Sequence, residues 1–168
     1  AEALAEARRL AAAGEPRAAL ALVADVLAAE PSNVEAFLLA AHAHADVGDY
    51  SEALAECHKT IAIDPLQPTA RYILGIIYQR QDDTVRAISE FRKTIYIDPG
   101  FALAHLSLGN IHRAQRKYDA AAKEYENALR AFREHPQGAW AGFLGGFDVG
   151  LLIQTCERSL VECRKASS

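Results

Sequence analysis

Histidine and cysteine side chains are the groups in this sequence that could bind a metal or act as nucleophiles. His42 and His44 are two residues apart, so on a helix they point to different faces. Cys57 and His58 are adjacent, and neighbouring helical residues point about 100° apart, which separates the thiol from a base that could activate it. No pair of these residues combines i, i+4 spacing with carboxylate support, as zinc motifs do. We therefore expect no metal, no cofactor and no catalytic activity.

The cysteines also indicate the compartment. There are three of them, Cys57, Cys156 and Cys163, and an odd number without dense spacing favours a reducing cytoplasm over a disulfide framework. Cys156 and Cys163 are seven residues apart on a predicted helix, about two turns, which is too far for a disulfide within that helix. We expect all three thiols to be small buried apolar side chains.

The composition limits the class of fold and of partner. The chain has 168 residues, enough for one domain, and 51% of them are hydrophobic, many being alanine, the residue with the highest helix propensity. This predicts an all-α protein of closely packed helices. A net charge of −4 argues against a nucleic-acid surface, and no apolar run reaches the roughly 20 residues that span a bilayer. Because the chain begins at Ala1 and contains no methionine, we expect it to be a segment of a longer protein.

Prolines reveal an internal repeat. Pro31, Pro65 and Pro99 are 34 residues apart, and the segment KTIAIDP at residues 59–65 recurs as KTIYIDP at residues 93–99. A period of this length predicts units of two antiparallel helices, each second helix ending at its proline. The predicted units are residues 1–33, 34–67, 68–101 and 102–135, followed by a tail at 136–168.

The third and fourth units resemble the tetratricopeptide-repeat (TPR) family. The matching residues are Leu74, Gly75, Tyr78, Ala87, Phe91 and Pro99 in the third unit and Leu108, Gly109, Tyr118, Ala121, Tyr125 and Ala128 in the fourth. The second unit matches less closely, with Phe37 in place of the usual tryptophan, and the first is the most degenerate. The resemblance implies a right-handed α-solenoid of helical hairpins, in which the small residues let paired helices approach and the aromatic residues fill the space between neighbours.

The resemblance also implies where a partner binds. In TPR proteins the first helix of each unit lines a concave groove, and the corresponding positions here are Arg8, Leu38, His42, Asp46, Tyr72, Ile76, Gln79, Arg80, Leu103, Leu106, Asn110 and Arg113. An apolar centre flanked by arginine and asparagine suits an amphipathic or extended peptide with some acidic character. The alternative is that Tyr72, Leu103 and Leu106 pack against the second helices. The chain lacks the Lys/Asn clamp of the chaperone-binding subclass.

The tail departs from the period. Residues 137–150 hold five glycines among Trp140, Phe143 and Phe147, and a helical pattern resumes from Leu151 with Asp148 as its predicted N-cap. We expect this helix to cap the open apolar end of the fourth unit. The alternatives are that the glycine-aromatic loop docks a partner or mediates self-association.

Residues 146–152, GFDVGLL, resemble a short sequence motif in the repeat region of chemotaxis methyltransferases of the CheR type, in particular the FrzF-like ones of gliding bacteria. The resemblance implies a regulatory domain that governs which chemoreceptor glutamates are methylated. The parent protein would then be an S-adenosylmethionine-dependent protein-glutamate methyltransferase of bacterial signal transduction. The rival interpretation is a scaffold or a co-chaperone-like adaptor that binds peptides in the same groove. Under either interpretation the partner is a protein or peptide, not a nucleic acid or a membrane.

Overall fold

The computed structural model of the protein describes residues 2–143 and 148–168, without the side chain of Phe143. Within these ranges all regular structure is helical, which confirms the predicted all-α class. A short 3-10 helix, Ala139–Phe143, precedes the last α-helix. The α-helices are α1 (Glu2–Ala12), α2 (Pro16–Ala29), α3 (Val34–Val47), α4 (Tyr50–Ile63), α5 (Pro68–Arg80), α6 (Thr84–Ile97), α7 (Ala102–Ala114), α8 (Tyr118–Glu134) and α9 (Val149–Ser167).

The chain divides into two compact units, Ala1–Asp82 and Asp83–Ser168. The first holds α1 to α5 and the second holds α6 to α9. That the chain forms one domain overall stays a prediction. Such a division is compatible with a repeat protein, because each repeat contacts only its neighbours in the chain. Helices α3, α5 and α7 begin at Val34, Pro68 and Ala102, the first residues of the predicted second, third and fourth repeats.

The turns within the hairpins share a left-handed backbone residue. The described residues with positive φ are Gly14 (81°), Gly48 (84°), Asp82 (59°) and Arg116 (59°), and each follows the previous one by 34 residues. Glycine adopts this conformation without steric cost, whereas residues with a Cβ adopt it rarely. The backbone therefore repeats with the period of the prolines, and it does so even in the degenerate first repeat.

The helix ends follow local sequence signals. Helices α2, α4 and α6 each end two residues before Pro31, Pro65 and Pro99, as predicted from the inability of proline to continue a helix. At the other ends, the side chain of Asn33 accepts a hydrogen bond from the backbone N–H of Ala36 (2.9 Å). Caps of this kind satisfy amide groups that have no partner within the helix.

The core of the first unit uses small residues where helices meet. Ala7, Ala19 and Ala36 are fully buried beside Leu4 and Val23, which come from α1 and α2. Alanine lets neighbouring helices approach closely, while burial of a side chain the size of valine or leucine contributes about 1.5–3 kcal/mol. Half-buried leucines and valines surround this cluster.

In the second unit a glycine makes room for an aromatic ring. A Cβ added to Gly109 of α7 would lie 2.9 Å from Cε1 of Tyr125 in α8, a distance that real Cβ atoms do not show. Tyr125 is fully buried and donates a hydrogen bond from its hydroxyl group to Oδ1 of Asn110 (2.7 Å). The close approach expected at Gly109 is therefore made by Tyr125 of the same hairpin.

Helix α9 packs against α8, as expected of a capping helix. Its N-cap is Asp148, whose carboxylate accepts a hydrogen bond from the backbone N–H of Gly150 (2.9 Å), as the sequence predicted. Cys156, Leu160 and Cys163 are buried on one face. On the rim, Arg133 pairs with Glu157 at 2.6 Å and Arg164 pairs with Glu126.

The structure favours a core position for Trp140 over the alternative that this residue belongs to a docking loop. Trp140 is fully buried and its indole ring meets Phe132 edge-on, with centroids 5.0 Å apart and an interplanar angle of 88°. A large aromatic side chain gains more by such packing than by exposure to water. The 3-10 helix thus directs this residue into the core. Phe147 and the side chain of Phe143 lie outside the described part of the chain, so their predicted docking role stays a prediction.

Candidate functional site

In the first unit, the first helices of the predicted repeats lie side by side. Helix α1 contacts α3, and α3 contacts α5. Arg8 of α1 forms an ion pair with Glu35 of α3, and about half of each side chain is exposed. This places two charged groups from different repeats on one accessible face. We call the face formed by Arg8, Glu35, Leu38, His42, Asp46, Ile76, Gln79 and Arg80 the α1–α3–α5 face.

A second polar group on this face centres on Asp46. One carboxylate oxygen of Asp46 is 3.7 Å from Nε2 of His42, and the other is 3.6 Å from Nη2 of Arg80. Arg80 also donates from Nη1 to the backbone carbonyl of Ala45 (2.7 Å). These contacts fix the Arg80 guanidinium against α3, while 41% of its side chain stays exposed.

The environment of His42 favours the neutral imidazole. Burial lowers the pKa of His42 from its ordinary value of 6.5, the Asp46 carboxylate raises it, and the nearby Arg80 lowers it again. The net direction is down, because removal of the ring from water penalises its charged form most. The imidazole beside the carboxylate is therefore a polar and uncharged group near neutral pH.

The remaining predicted residues of the first unit differ in exposure. Leu38 and Ile76 are half-buried and Gln79 is exposed, so they contribute apolar and amide surface to the α1–α3–α5 face. Tyr72 is only 7% exposed, so it does not form part of an exposed apolar centre. For Tyr72, burial favours the alternative that its ring packs within the protein.

In the second unit, α8 and α9 engage the polar residues predicted to flank a ligand. The carbonyl oxygen of the Asn110 side chain accepts the hydroxyl group of Tyr125. Arg113 donates to the hydroxyl oxygen of Ser159 (3.1 Å) and lies 3.5 Å from a carboxylate oxygen of Glu162, both in α9. Leu103 is 8% exposed, and Leu106 is half-buried. Asn110 and Arg113 thus help to attach neighbouring helices.

These partners are absent from the residues predicted from the sequence. Glu35, which pairs with Arg8, was not among the predicted site residues, and neither were Ser159 and Glu162. A signal existed for Glu35, because oppositely charged residues at neighbouring positions of adjacent repeats are candidates for pairing. For Ser159 and Glu162 no such signal existed, since α9 departs from the 34-residue period.

The groups that could do chemistry are not gathered into a centre. Within the described ranges, no group of three or more His, Cys, Asp or Glu side chains could hold a metal ion. The three cysteines are free and buried, as predicted. Burial raises the pKa of the Cys156 thiol to about 11, and it also raises the pKa of Cys163. Over the same residues, no helix is both long enough and apolar enough to cross a bilayer.

Solved structures with a similar fold include TPR proteins. A thermophilic TPR protein of Thermus thermophilus is 20% identical, with a TM-score of 0.71 over 96% of this chain and 89% of that one. The MamA protein is 21% identical, with a TM-score of 0.61 over 98% and 89%. The first TPR of Spaghetti (RPAP3), bound to the HSP90 peptide SRMEEVD, is 19% identical, with a TM-score of 0.56 over 76% and 93%. At these identities the similarity concerns the fold.

Comparison with family models assigns the repeats themselves. A model described as tetratricopeptide repeat matches residues 10–77, and a second model with the same description matches residues 106–141. A comparison with curated protein sequences finds no match. The two models together match more than half of the chain, whose hairpin turns are spaced by 34 residues, and the chain therefore belongs to the tetratricopeptide-repeat family.

Proposed function

We propose that the chain is a non-catalytic protein-interaction module that binds a peptide segment of its partner on the α1–α3–α5 face. The observation that carries the proposal is that α1, α3 and α5, which contact one another in turn, carry the ion-paired Arg8, Asp46 and Arg80 together with the half-buried Leu38 and Ile76. A small apolar area bordered by directional polar groups is typical of peptide-recognition surfaces.

The chemistry of this face suits a peptide that is amphipathic and partly acidic. Each guanidinium group carries five N–H donors, and the side chains of Arg8 and Arg80 are 55% and 41% exposed, so a peptide carboxylate can approach both. Asp46 and Glu35 balance these charges in the unbound protein. On binding, a carboxylate of the peptide would replace Glu35 or Asp46 as the partner of an arginine. Because one ion pair is lost as another forms, the contact favours specificity more than high affinity.

A peptide-display selection on the purified chain, followed by calorimetric titration of a selected peptide, tests this proposal. Arg80→Ala should weaken binding by about tenfold, which corresponds to roughly 1.4 kcal/mol. Arg17→Ala, at an exposed position of α2, is the matched control and should leave the affinity unchanged. If both variants bind the peptide as tightly as the wild type, the ligand does not use this face.

We further propose that the partner is a chemoreceptor or the catalytic domain of an attached methyltransferase of the CheR type, and that binding selects the methylated glutamates. The support is the resemblance of residues 146–152, of which 146 and 147 lie outside the described residues. Receptor methylation patterns produced by the catalytic domain alone and by the domain joined to this chain provide the test. The proposal requires the two patterns to differ, and identical patterns would refute it.

The alternative is a scaffold or co-chaperone-like adaptor. Its support is that one protein of similar fold is bound to the HSP90 peptide SRMEEVD. Titration of a fluorescent SRMEEVD peptide distinguishes the two proposals. We expect no saturable binding, because the positions of the chaperone clamp carry residues such as Leu4 and Ile73, which are buried and apolar here. Saturable binding that requires the free C-terminal carboxylate would favour the adaptor.

The three buried free thiols suit a cytoplasmic location, which we propose for the module.

A further inference from the structure

Helix α9 has an outer face, on the side opposite to its buried cysteines. The residues of this face are three or four positions apart, a spacing that aligns side chains along one side of a helix. They are Leu151, Gln154, Arg158, Val161 and Lys165, all of which are exposed. Leu151 is 53% exposed and Val161 is 48% exposed. The end of a repeat protein is normally closed by a polar outer face, so these two apolar residues depart from that pattern.

The charged side chains of α9 that lie beside α7 and α8 are paired, whereas those of the outer face are not. Both glutamates of the helix, Glu157 and Glu162, lie against arginines of these neighbours, and Arg164 pairs with a glutamate of α8. Arg158 and Lys165 have no ion-pair partner among the residues that the structure describes. The outer face of α9 therefore presents two uncompensated positive charges beside two exposed apolar side chains.

These properties specify the surface that fits the outer face of α9. Two copies of this face cannot pair with each other, because the cations of one copy would repel those of the other. A negatively charged surface attracts both cations. It also needs small or apolar groups next to its carboxylates, so that Leu151 and Val161 can be covered without burying a charge.

The first unit is the acidic part of the chain. Residues 1–82 contain 12 acidic and 6 basic residues, a net charge of −6, whereas residues 83–168 contain 10 acidic and 12 basic residues, a net charge of +2. Together they give the net charge of −4 of the whole chain. At low ionic strength, the first unit of one copy therefore attracts the second unit of another copy.

Within the first unit, α1 carries acidic residues at positions where the next repeat has a contact surface. Ala36 and Ala40 of α3 are buried in a cluster with residues of α1 and α2, so they mark the side of α3 that packs on the preceding repeat. One 34-residue period earlier, the equivalent positions are Glu2 and Glu6 of α1, and both are exposed. Glu6 pairs with Arg9 at 2.6 Å, whereas Glu2 has no ion-pair partner among the described residues.

The outer face of α1 consists of Glu2, Ala3, Glu6 and Arg9, all of which are exposed. It combines a small apolar residue with a net negative charge, as the outer face of α9 requires. We propose that the outer face of α9 in one copy of the chain binds the outer face of α1 in a second copy. The contact is heterologous, because it joins two different surfaces, so a pair of copies still has one free face of each kind. Neither face contains a residue of the α1–α3–α5 face, and the proposal is therefore independent of the proposed function.

Sedimentation velocity of the purified chain, at concentrations up to about 1 mM, tests the proposal. The weight-average sedimentation coefficient should rise with protein concentration at about 0.1 M salt. The rise should be much smaller at about 1 M salt, because the Debye length falls from about 10 Å to about 3 Å. A chain that stays monomeric throughout this range would overturn the proposal, and so would an association that salt leaves unchanged.

Charge reversal tests whether these two faces meet. Arg158→Glu combined with Lys165→Glu makes both faces negative and should prevent association. Glu2→Lys combined with Glu6→Lys makes both faces positive and should have the same effect. The variant with all four substitutions exchanges the charges of the two faces, so opposite charges meet again and association should return.

The matched control is Arg92→Glu combined with Lys123→Glu, at exposed positions of α6 and α8. It changes the net charge by the same amount as Arg158→Glu with Lys165→Glu, and it should associate like the wild type. Circular dichroism checks that every variant keeps its helical content. The proposal is overturned if reversal on either face leaves association intact, if the variant with four substitutions stays monomeric, or if the control also loses association.

Discussion

Arg80 of α5 donates a hydrogen bond from Nη1 to the backbone carbonyl of Ala45 in α3, across 2.7 Å. The contact joins two repeats of the first unit and lies beside the ion pair of Arg80 with Asp46. It links the stability of this unit to the side chain that is proposed to meet a ligand.

Replacement of Arg80 should therefore affect stability as well as binding. A hydrogen bond from a charged donor contributes about 1.5–3 kcal/mol when buried, and partial exposure reduces this. We expect Arg80→Ala to lower the free energy of unfolding by about 1 kcal/mol in urea titrations. Arg17→Ala should change it by less than about 0.5 kcal/mol, as most surface substitutions do. Equal values for the two variants would show that the contact to Ala45 contributes nothing measurable.

The effect of Gly109→Ala on stability should depend on whether the Tyr125 ring is present. Alanine is favoured over glycine in a helix by about 1 kcal/mol, but a Cβ at this position would lie 2.9 Å from the Tyr125 ring. We expect Gly109→Ala to destabilise the protein by about 1–2 kcal/mol. In the Tyr125→Ala background the same change should become neutral or stabilising. A double-mutant cycle of Gly109→Ala and Tyr125→Ala, measured by thermal unfolding, tests this. If the effect of Gly109→Ala is the same in both backgrounds, the Tyr125 ring moves aside freely.

Substitutions at the left-handed turn positions Gly48 and Arg116 should change stability in opposite directions. Gly48→Ala should destabilise by about 1 kcal/mol, because alanine at a φ of 84° is strained although nothing lies close to its Cβ. Arg116→Gly relieves the corresponding strain at 59° and should stabilise by a few tenths of a kcal/mol, since the gain is partly offset by the greater freedom of glycine in the unfolded chain. Urea titrations measure both, and two changes of the same sign would contradict the argument.

The pH dependence of stability should report on His42. Its pKa is lowered in the folded state, so the unfolded chain binds the proton more readily as pH falls below the ordinary value of 6.5. The contribution of His42 to stability is therefore complete above pH 6.5 and decreases as pH falls through its folded-state pKa. We expect the stability difference between the wild type and His42→Gln to shift in favour of the variant between pH 7.5 and about pH 5. A constant difference over this range would rule out the lowered pKa.

Much of the fold was predictable because its signals are local. The prolines at 31, 65 and 99 end three helices where expected, and Asp148 caps α9 as its side chain and position indicated. The burial of the three cysteines was also predictable, because small thiols on apolar helix faces have few alternatives. Each of these features depends on residues within a few positions of one another.

The candidate site was less predictable, because its chemistry depends on contacts between distant segments. Arg113 meets Ser159, which lies 46 residues further along in a helix outside the repeat period. The glycine-rich sequence around Trp140 left a docking loop open as an alternative, and only the packing of Trp140 on Phe132 shows that it belongs to the core.

The sequence by itself determined the helical class, the 34-residue period and the positions where helices stop. It did so because helical hydrogen bonds and the steric limits of proline act within a few residues. The tertiary structure decided which side chains of each helix are available to a partner. Tyr72, Leu103 and Trp140 are buried while Arg8 and Arg80 remain accessible, since burial depends on which apolar surfaces other helices bring against a side chain.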